Sequence, residues 1–225
     1  MIGEEKTVKD IAALITEDQR KVVIMGGVHG DDRLGLEVVT HYFHHNNPLF
    51  QLILANHKAV EKKKKFIDFD LIKAGKGDLT CTTSIEKCRA AEIHEVLEQY
   101  DYVVDVHGNH FNEDIIILTD NSKETLEFAK TLGIKRGILI EKNNYLIESV
   151  PHAITLICKV EAKLDPTNAE VANTVLMLNK LEKYFVGQKA ERTQFDLYTL
   201  TIEHDNQIDW ILNNDITDSI IPVNN

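Results

Sequence analysis

Cysteine, net positive charge and long apolar runs are all scarce in this chain of 225 residues. The three cysteines, Cys81, Cys88 and Cys158, are too few for a disulfide framework and odd in number, which fits a reducing compartment. A formal net charge of -11 argues against phosphate-backbone binding as the main task. No apolar stretch approaches the roughly 20 residues of a membrane span, and the N-terminus has no basic segment leading into an apolar one. These absences together predict a cytoplasmic protein that binds neither nucleic acid nor membrane. What is present, 43% hydrophobic and 27% charged residues, is ordinary globular composition with enough chain for one large core.

Apolar periodicity alternates between two kinds. Strands are expected over Lys21–Gly27, Phe50–Ala55, Asp101–Val106, Asp114–Thr119, Ile138–Ile140 and Ala153–Val160. Helices are expected over Thr7–Ile15, Leu34–Phe43, Ser84–Gln99, Lys123–Leu132 and Thr167–Tyr184, with a basic, irregular stretch over Val60–Gly77. That alternation predicts an α/β fold with a mixed, mostly parallel central sheet and helices on both faces. After Gly187 the pattern changes: Phe195–Ile202 alternates like a strand and the remainder is polar. Residues 1–187 therefore read as the α/β domain and 188–225 as a short C-terminal β appendage.

Function in such sheets gathers at the carboxyl ends of strands. Val22-Val23-Ile24-Met25-Gly26-Gly27-Val28-His29-Gly30-Asp31-Asp32 ends a strand in glycines, a histidine and carboxylates, and Tyr102-Val103-Val104-Asp105-Val106-His107-Gly108-Asn109 ends another in a histidine. His29, Asp32 and His107 can supply the nitrogen and oxygen donors of a catalytic zinc site that keeps one position open. The bland alternative makes Asp32 a helix N-cap and both histidines ordinary strand-end residues. A phosphate loop is excluded: the segment lacks Gly-Lys-Ser/Thr and the Gly-x-Gly-x-x-Gly register, and adjacent aspartates would repel phosphate. His41 and His45 stand four apart on a helix with no accompanying carboxylate motif and read as a solvated face, while Cys158 reads as core.

Gly26-Gly27-Val28-His29-Gly30-Asp31-Asp32 resembles the Gly-Gly-Thr-His-Gly-Asn-Glu signature of the succinylglutamate desuccinylase/aspartoacylase family, a branch of the zinc carboxypeptidase superfamily. Ala55-Asn56-His57-Lys58-Ala59, Lys65-Phe66-Ile67-Asp68-Phe69-Asp70-Leu71-Ile72-Lys73, Arg89-Ala90-Ala91-Glu92-Ile93 and Asp105-Val106-His107-Gly108 are similar to further family segments. The resemblance runs over about residues 20 to 185 and implies a zinc carboxypeptidase-like fold. It also implies a zinc-dependent amidohydrolase acting on an N-acyl amino acid or similar small anionic acylated substrate. His29, Asp32 and His107 would bind Zn2+. Lys65, at the position of a family arginine, would steady the oxyanion, and Lys65, Lys73, Asn56 and His110 would meet substrate. His152 also falls near the family's substrate pocket.

Two placements compete for the family's catalytic glutamate. One puts Ile157 at the base; the other, which agrees better with the distance to the next helix, keeps a carboxylate at Glu161, and Glu161 is preferred. The departures are physical ones. Asp32 is one methylene shorter than the family's glutamate. The family's asparagine becomes Ile72, and Lys65 and Lys73 offer point charges where arginine would fork a carboxylate. A catalytically altered member acting as a binding protein, or a carboxypeptidase acting on peptides, are the alternatives. A homo-oligomer is compatible with the sequence.

Overall fold

Val22-Val23-Ile24-Met25 puts apolar groups on both faces of one strand, and such a strand belongs inside a sheet covered on both sides. The computed structural model describes residues 21–78, 80, 82, 84–110, 113–187, 194–200, 208, 211 and 220–223. In it Val22–Gly26 is strand β1, buried at every residue. Helix α1 (Arg33–His45) and strand β2 (Phe50–Leu54) follow, then a short helix α2 (His57–Glu61) and a 3-10 turn at Leu71–Ala74. Helix α3 (Ile85–Leu97) leads into β3 (Tyr102–Asn109), β4 (Ile115–Leu118), α4 (Lys123–Thr131) and β5 (Arg136–Leu139). Strand β6 (His152–Lys159), helices α5 (Asn168–Asn179) and α6 (Leu181–Phe185), and strands β7 (Asp196–Leu200) and β8 (Ile220–Pro222) complete the order.

The strands form one mixed sheet in the order β2-β1-β3-β6-β4-β5-β7-β8. β2, β1, β3 and β6 run parallel; β4 turns against β6, β5 and β7 continue parallel to β4, and β8 turns again. The expected mostly parallel α/β sheet is therefore present. β7 and β8, from beyond the 187/188 boundary, extend this same sheet at its β5 edge.

Two apolar layers cover the faces. Leu34, Val38 and Val39 of α1 pack with Phe128 of α4 and Leu178 of α5 on one side. Ala90, Ile93 and Leu97 of α3 pack with Leu71, Ile72 and Ile208 on the other. Helix starts follow their side chains: Ser84, Ser122 and Thr167 each accept an N–H of the turn they open. Thr167 and Glu170 form a reciprocal capping box. Gly35 lets α1 lie directly on the sheet, since a Cβ there would stand 2.4 Å from the Val106 carbonyl oxygen.

Some boundaries differ from the sequence reading. β3 continues to Asn109, so His107 lies within the strand rather than past it. The helix expected over Thr167–Tyr184 is two, parted at Lys180, where the chain tightens and Lys180 Nζ donates to the Leu132 carbonyl. Within Val60–Gly77 the 3-10 turn at Leu71–Ala74 is ordered by the Asp70 carboxylate, which accepts from Ile72 N–H. The helix expected at Thr7–Ile15, together with Cys81, lies outside the described residues. Cys158 is buried in the core as expected.

Candidate active site

The parallel run β2-β1-β3-β6 brings the carboxyl ends of β1 and β3 side by side. β1 stops at Gly26, and Gly27 takes a left-handed φ of 68°, a conformation that costs a glycine little. The turn delivers His29 and Asp32, both buried, beside His107, and the two imidazole centroids stand 5.8 Å apart. His29, Asp32 and His107, 78 residues apart at their extremes, are thus one cluster.

Each imidazole is held by its own carboxylate. His29 Nε2 lies 3.1 Å from Asp70 Oδ1, and His107 Nε2 lies 2.9 Å from Asp105 Oδ2. On its other side His107 Nδ1 is 3.3 Å from Asp32 Oδ2. Burial alone would lower the His107 pKa; the Asp105 and Asp32 carboxylates outweigh it and push the pKa up to about 10. Burial raises the Asp70 pKa, but hydrogen bonding to His29, its charge and that of Lys65 prevail and hold it below the ordinary carboxylate value. Asp105 Oδ1 is buried with no hydrogen-bond partner among the described residues, a mark of a site built for more than packing.

With both Nε2 atoms facing carboxylates, a metal would be met through Nδ1, which on His107 lies against Asp32, the third donor of the set. Carboxylates behind ligating histidines fix ring orientation and tautomer in zinc sites. Two imidazoles and an aspartate are also a donor set that suits zinc. The residues therefore fit the metal in composition and in supporting partners. They do not close on one point: among the described residues no three His, Cys, Asp or Glu side chains gather as metal ligands. The cause is visible at Asp32. Both its oxygens accept from Gly108 N–H, at 3.0 and 2.9 Å, and Oδ1 also caps α1 through Leu34 N–H. The short side chain is held to the backbone, and the N-cap reading of Asp32 describes its position.

The other residues singled out from sequence fall in different places. Lys65 is half-buried, its charge acts on Asp70, and its carbonyl accepts from Gly30 N–H. Lys73 is exposed, and so is His110, whose Nδ1 lies 3.1 Å from the Val160 carbonyl oxygen. Asn56, expected at the substrate, is 2% exposed: its Oδ1 caps α2 at Ala59 N–H and its Nδ2 donates to Glu86. Its amide is committed inside the protein, a structural placement rather than an open one. His152, expected near the substrate pocket, opens β6 opposite Tyr102, at the other end of the strands from His29 and His107. His41 and His45 stack on the outer end of α1.

Glu161 follows β6, is exposed, and its N–H donates to Glu170 Oε1 at 2.6 Å. The residue of β6 level with His107 is Ile157, fully buried. Glu161 lies four positions further, about 13 Å along extended chain. The segment then turns back, with the Lys163 carbonyl accepting Arg33 N–H at the start of α1. Asp105 and Asp70 were not singled out for a role in the sequence reading. Asp105 had a usable signal, since residues two apart in a strand share a face; Asp70, 41 positions from its histidine, had only the motif around it.

The profile of the succinylglutamate desuccinylase/aspartoacylase catalytic domain matches residues 18–138, more than half of the chain. Aspartoacylase of Mus musculus is 27% identical over 125 residues, covering 48% of this chain and 40% of that protein. The N-acyl-aromatic-L-amino acid amidohydrolase of Homo sapiens is 25% identical over 125 residues, covering 48% and 39%. The chain thus matches well under half the length of these relatives. Among solved structures, a glutamate-to-alanine mutant of murine aminoacylase 3 superposes with a TM-score of 0.67 at 19% identity, covering 87% of this chain and 75% of that one. Succinylglutamate desuccinylase from Chromobacterium violaceum gives 0.68 at 16% identity, covering 83% and 68%. With the profile match over β1 to β5 and the fold shared beyond it, the chain belongs to the succinylglutamate desuccinylase/aspartoacylase family.

Proposed function

We propose that this chain binds zinc through His29, Asp32 and His107 and hydrolyses the amide bond of an N-acyl amino acid or similar small anionic substrate. The observation that carries the reading is the pair of buried histidines whose Nε2 atoms are each engaged by an aspartate, Asp70 and Asp105. Relatives named as aspartoacylase and amidohydrolase support the reaction class. Zinc in such a site supplies Lewis acidity, making water a better nucleophile near neutral pH and polarising the amide carbonyl. The protein's own residues divide the remaining work. Asp70 and Asp105 hold the imidazoles in orientation. Lys65 offers a cation for developing negative charge, and Lys73 offers a second for a substrate carboxylate. Glu161 carries the proton toward the leaving amine.

One observation favours a second reading, in which the site binds a ligand without turning it over. Ile157 occupies the β6 position beside His107, and Glu161 is exposed beyond the strand. Metal analysis and kinetics separate the readings. About one zinc per chain is expected in the purified protein, lost in His29→Ala and His107→Ala; a chain that stays metal-free after zinc addition refutes the metal assignment. On any amide found to be hydrolysed, Glu161→Gln should lower kcat by about 100-fold or more, the usual worth of a positioned acid–base group. Zinc uptake without turnover of any N-acyl amino acid would favour the binding protein.

A further inference from the structure

Glu86, the second residue of α3, is a carboxylate with no exposure to solvent. Burying an ionised side chain is costly unless several donors satisfy it. Here four do: Ile67 N–H at 2.6 Å, Asp68 N–H and Phe69 N–H at 3.3 Å, and Asn56 Nδ2 at 3.2 Å. It also sits in the first turn of a helix, where the backbone dipole favours negative charge. The tie is reciprocal, because Asp68 accepts from Ser84 Oγ and Ile85 N–H at the start of the same helix. One turn later Arg89 donates to the Leu54 and Ala55 carbonyls, pinning α3 to the end of β2.

The three successive N–H groups that Glu86 gathers lead directly into Asp70, whose carboxylate holds His29. Asn56, its fourth donor, is bonded through its own N–H to the Gly27 carbonyl at the exit of β1. Glu86 therefore joins the segment that presents His29 to the segment that presents His29's partner. We infer that Glu86 is a positioning residue: from the interior, without touching metal or substrate, it sets the Asp70–His29 contact and through it the affinity of the His29 site for metal. This rests on the zinc reading above. A residue serving only to fill space here would be apolar; a carboxylate that collects a run of loop N–H groups fixes the loop's path.

Zinc affinity, measured by competition with a chelating indicator, tests it on the full chain. Glu86→Gln keeps the shape but turns an N–H toward donors that need an acceptor. It should weaken zinc binding by about tenfold or more, the usual scale for losing support behind a ligand. Hydrogen exchange at Ile67, Asp68 and Phe69 should quicken in the same variant. Glu95→Gln, an exposed charge loss on the same helix, should change neither. Zinc binding unaltered in Glu86→Gln overturns the inference alone, as does unaltered exchange at the three amides. No zinc uptake by the wild-type chain overturns the metal reading and this inference together.

Discussion

Replacing Asp32 by alanine should remove its contact with His107 Nδ1 and, with it, two backbone hydrogen-bond acceptors whose loss can be sized. The first is an N-cap: Oδ1 accepts from Leu34 N–H, and losing such a cap costs about 1 kcal/mol. The second is the acceptor for Gly108 N–H, which both carboxylate oxygens satisfy in the interior. Leaving a buried donor unpaired costs about 1–3 kcal/mol. Together Asp32→Ala should lose about 2–4 kcal/mol, a large part of the 5–15 kcal/mol typical of a domain. Urea unfolding of metal-free protein should show a midpoint lower by roughly 1 M with the slope unchanged. Asp32→Asn retains an acceptor of the same length and caps helices as well as aspartate does, so it should stay within about 1–2 kcal/mol of wild type. Both variants should nevertheless lose zinc. If Asp32→Ala unfolds within 1 kcal/mol of wild type, or Asp32→Asn is equally damaged, the capping account of this carboxylate is wrong.

Two further outcomes follow from the packing and caps. Gly35→Ala would ordinarily strengthen a helix by about 1 kcal/mol. Here the new methyl meets Val106 and Gly26 backbone, so the sign should reverse to a loss of about 1–3 kcal/mol in chemical unfolding; a stabilised variant would contradict the contact. Burial raises the Glu170 pKa, but the Thr167 and Glu161 donors prevail and hold it below its ordinary 4.5. A depressed folded-state pKa means stability that is present above 4.5 and is lost as pH falls through the folded value. Glu170→Gln should therefore melt below wild type at pH 7, with the gap closing in acid; a gap independent of pH would show that the charge has no part in it.

Much of this was legible in the sequence, because strand and helix periods are local. The apolar β1 and the helix over Leu34–Phe43, with its Asp32 N-cap, are each encoded within a few residues. His29, Asp32 and His107 were readable as a set because each follows an apolar strand. What periodicity does not carry is which nitrogen of a histidine is already taken, or which distant carboxylate takes it. Asp70 and Glu86 act across 41 and 30 positions and look like ordinary polar residues in their own neighbourhoods. Asn56 shows the same limit: its amide can face a substrate or a buried carboxylate, and in the fold its Nδ2 donates to Glu86. His152 was misplaced because an eight-residue strand separates its start from the active end.

Strand β6 follows β4 and β5 in sequence, yet in space it lies between β3 and β4. During synthesis the stretch matched by the family profile, residues 18–138, therefore emerges as two separate ribbons. One is β2-β1-β3, carrying both histidines, and the other is β4-β5; no pairing joins them until β6 arrives. A nascent chain halted before residue 152 would hold the histidine-bearing strands with β3 still an open edge. A strand outside the profile match is thus the keystone, converting two sheet fragments into one wall.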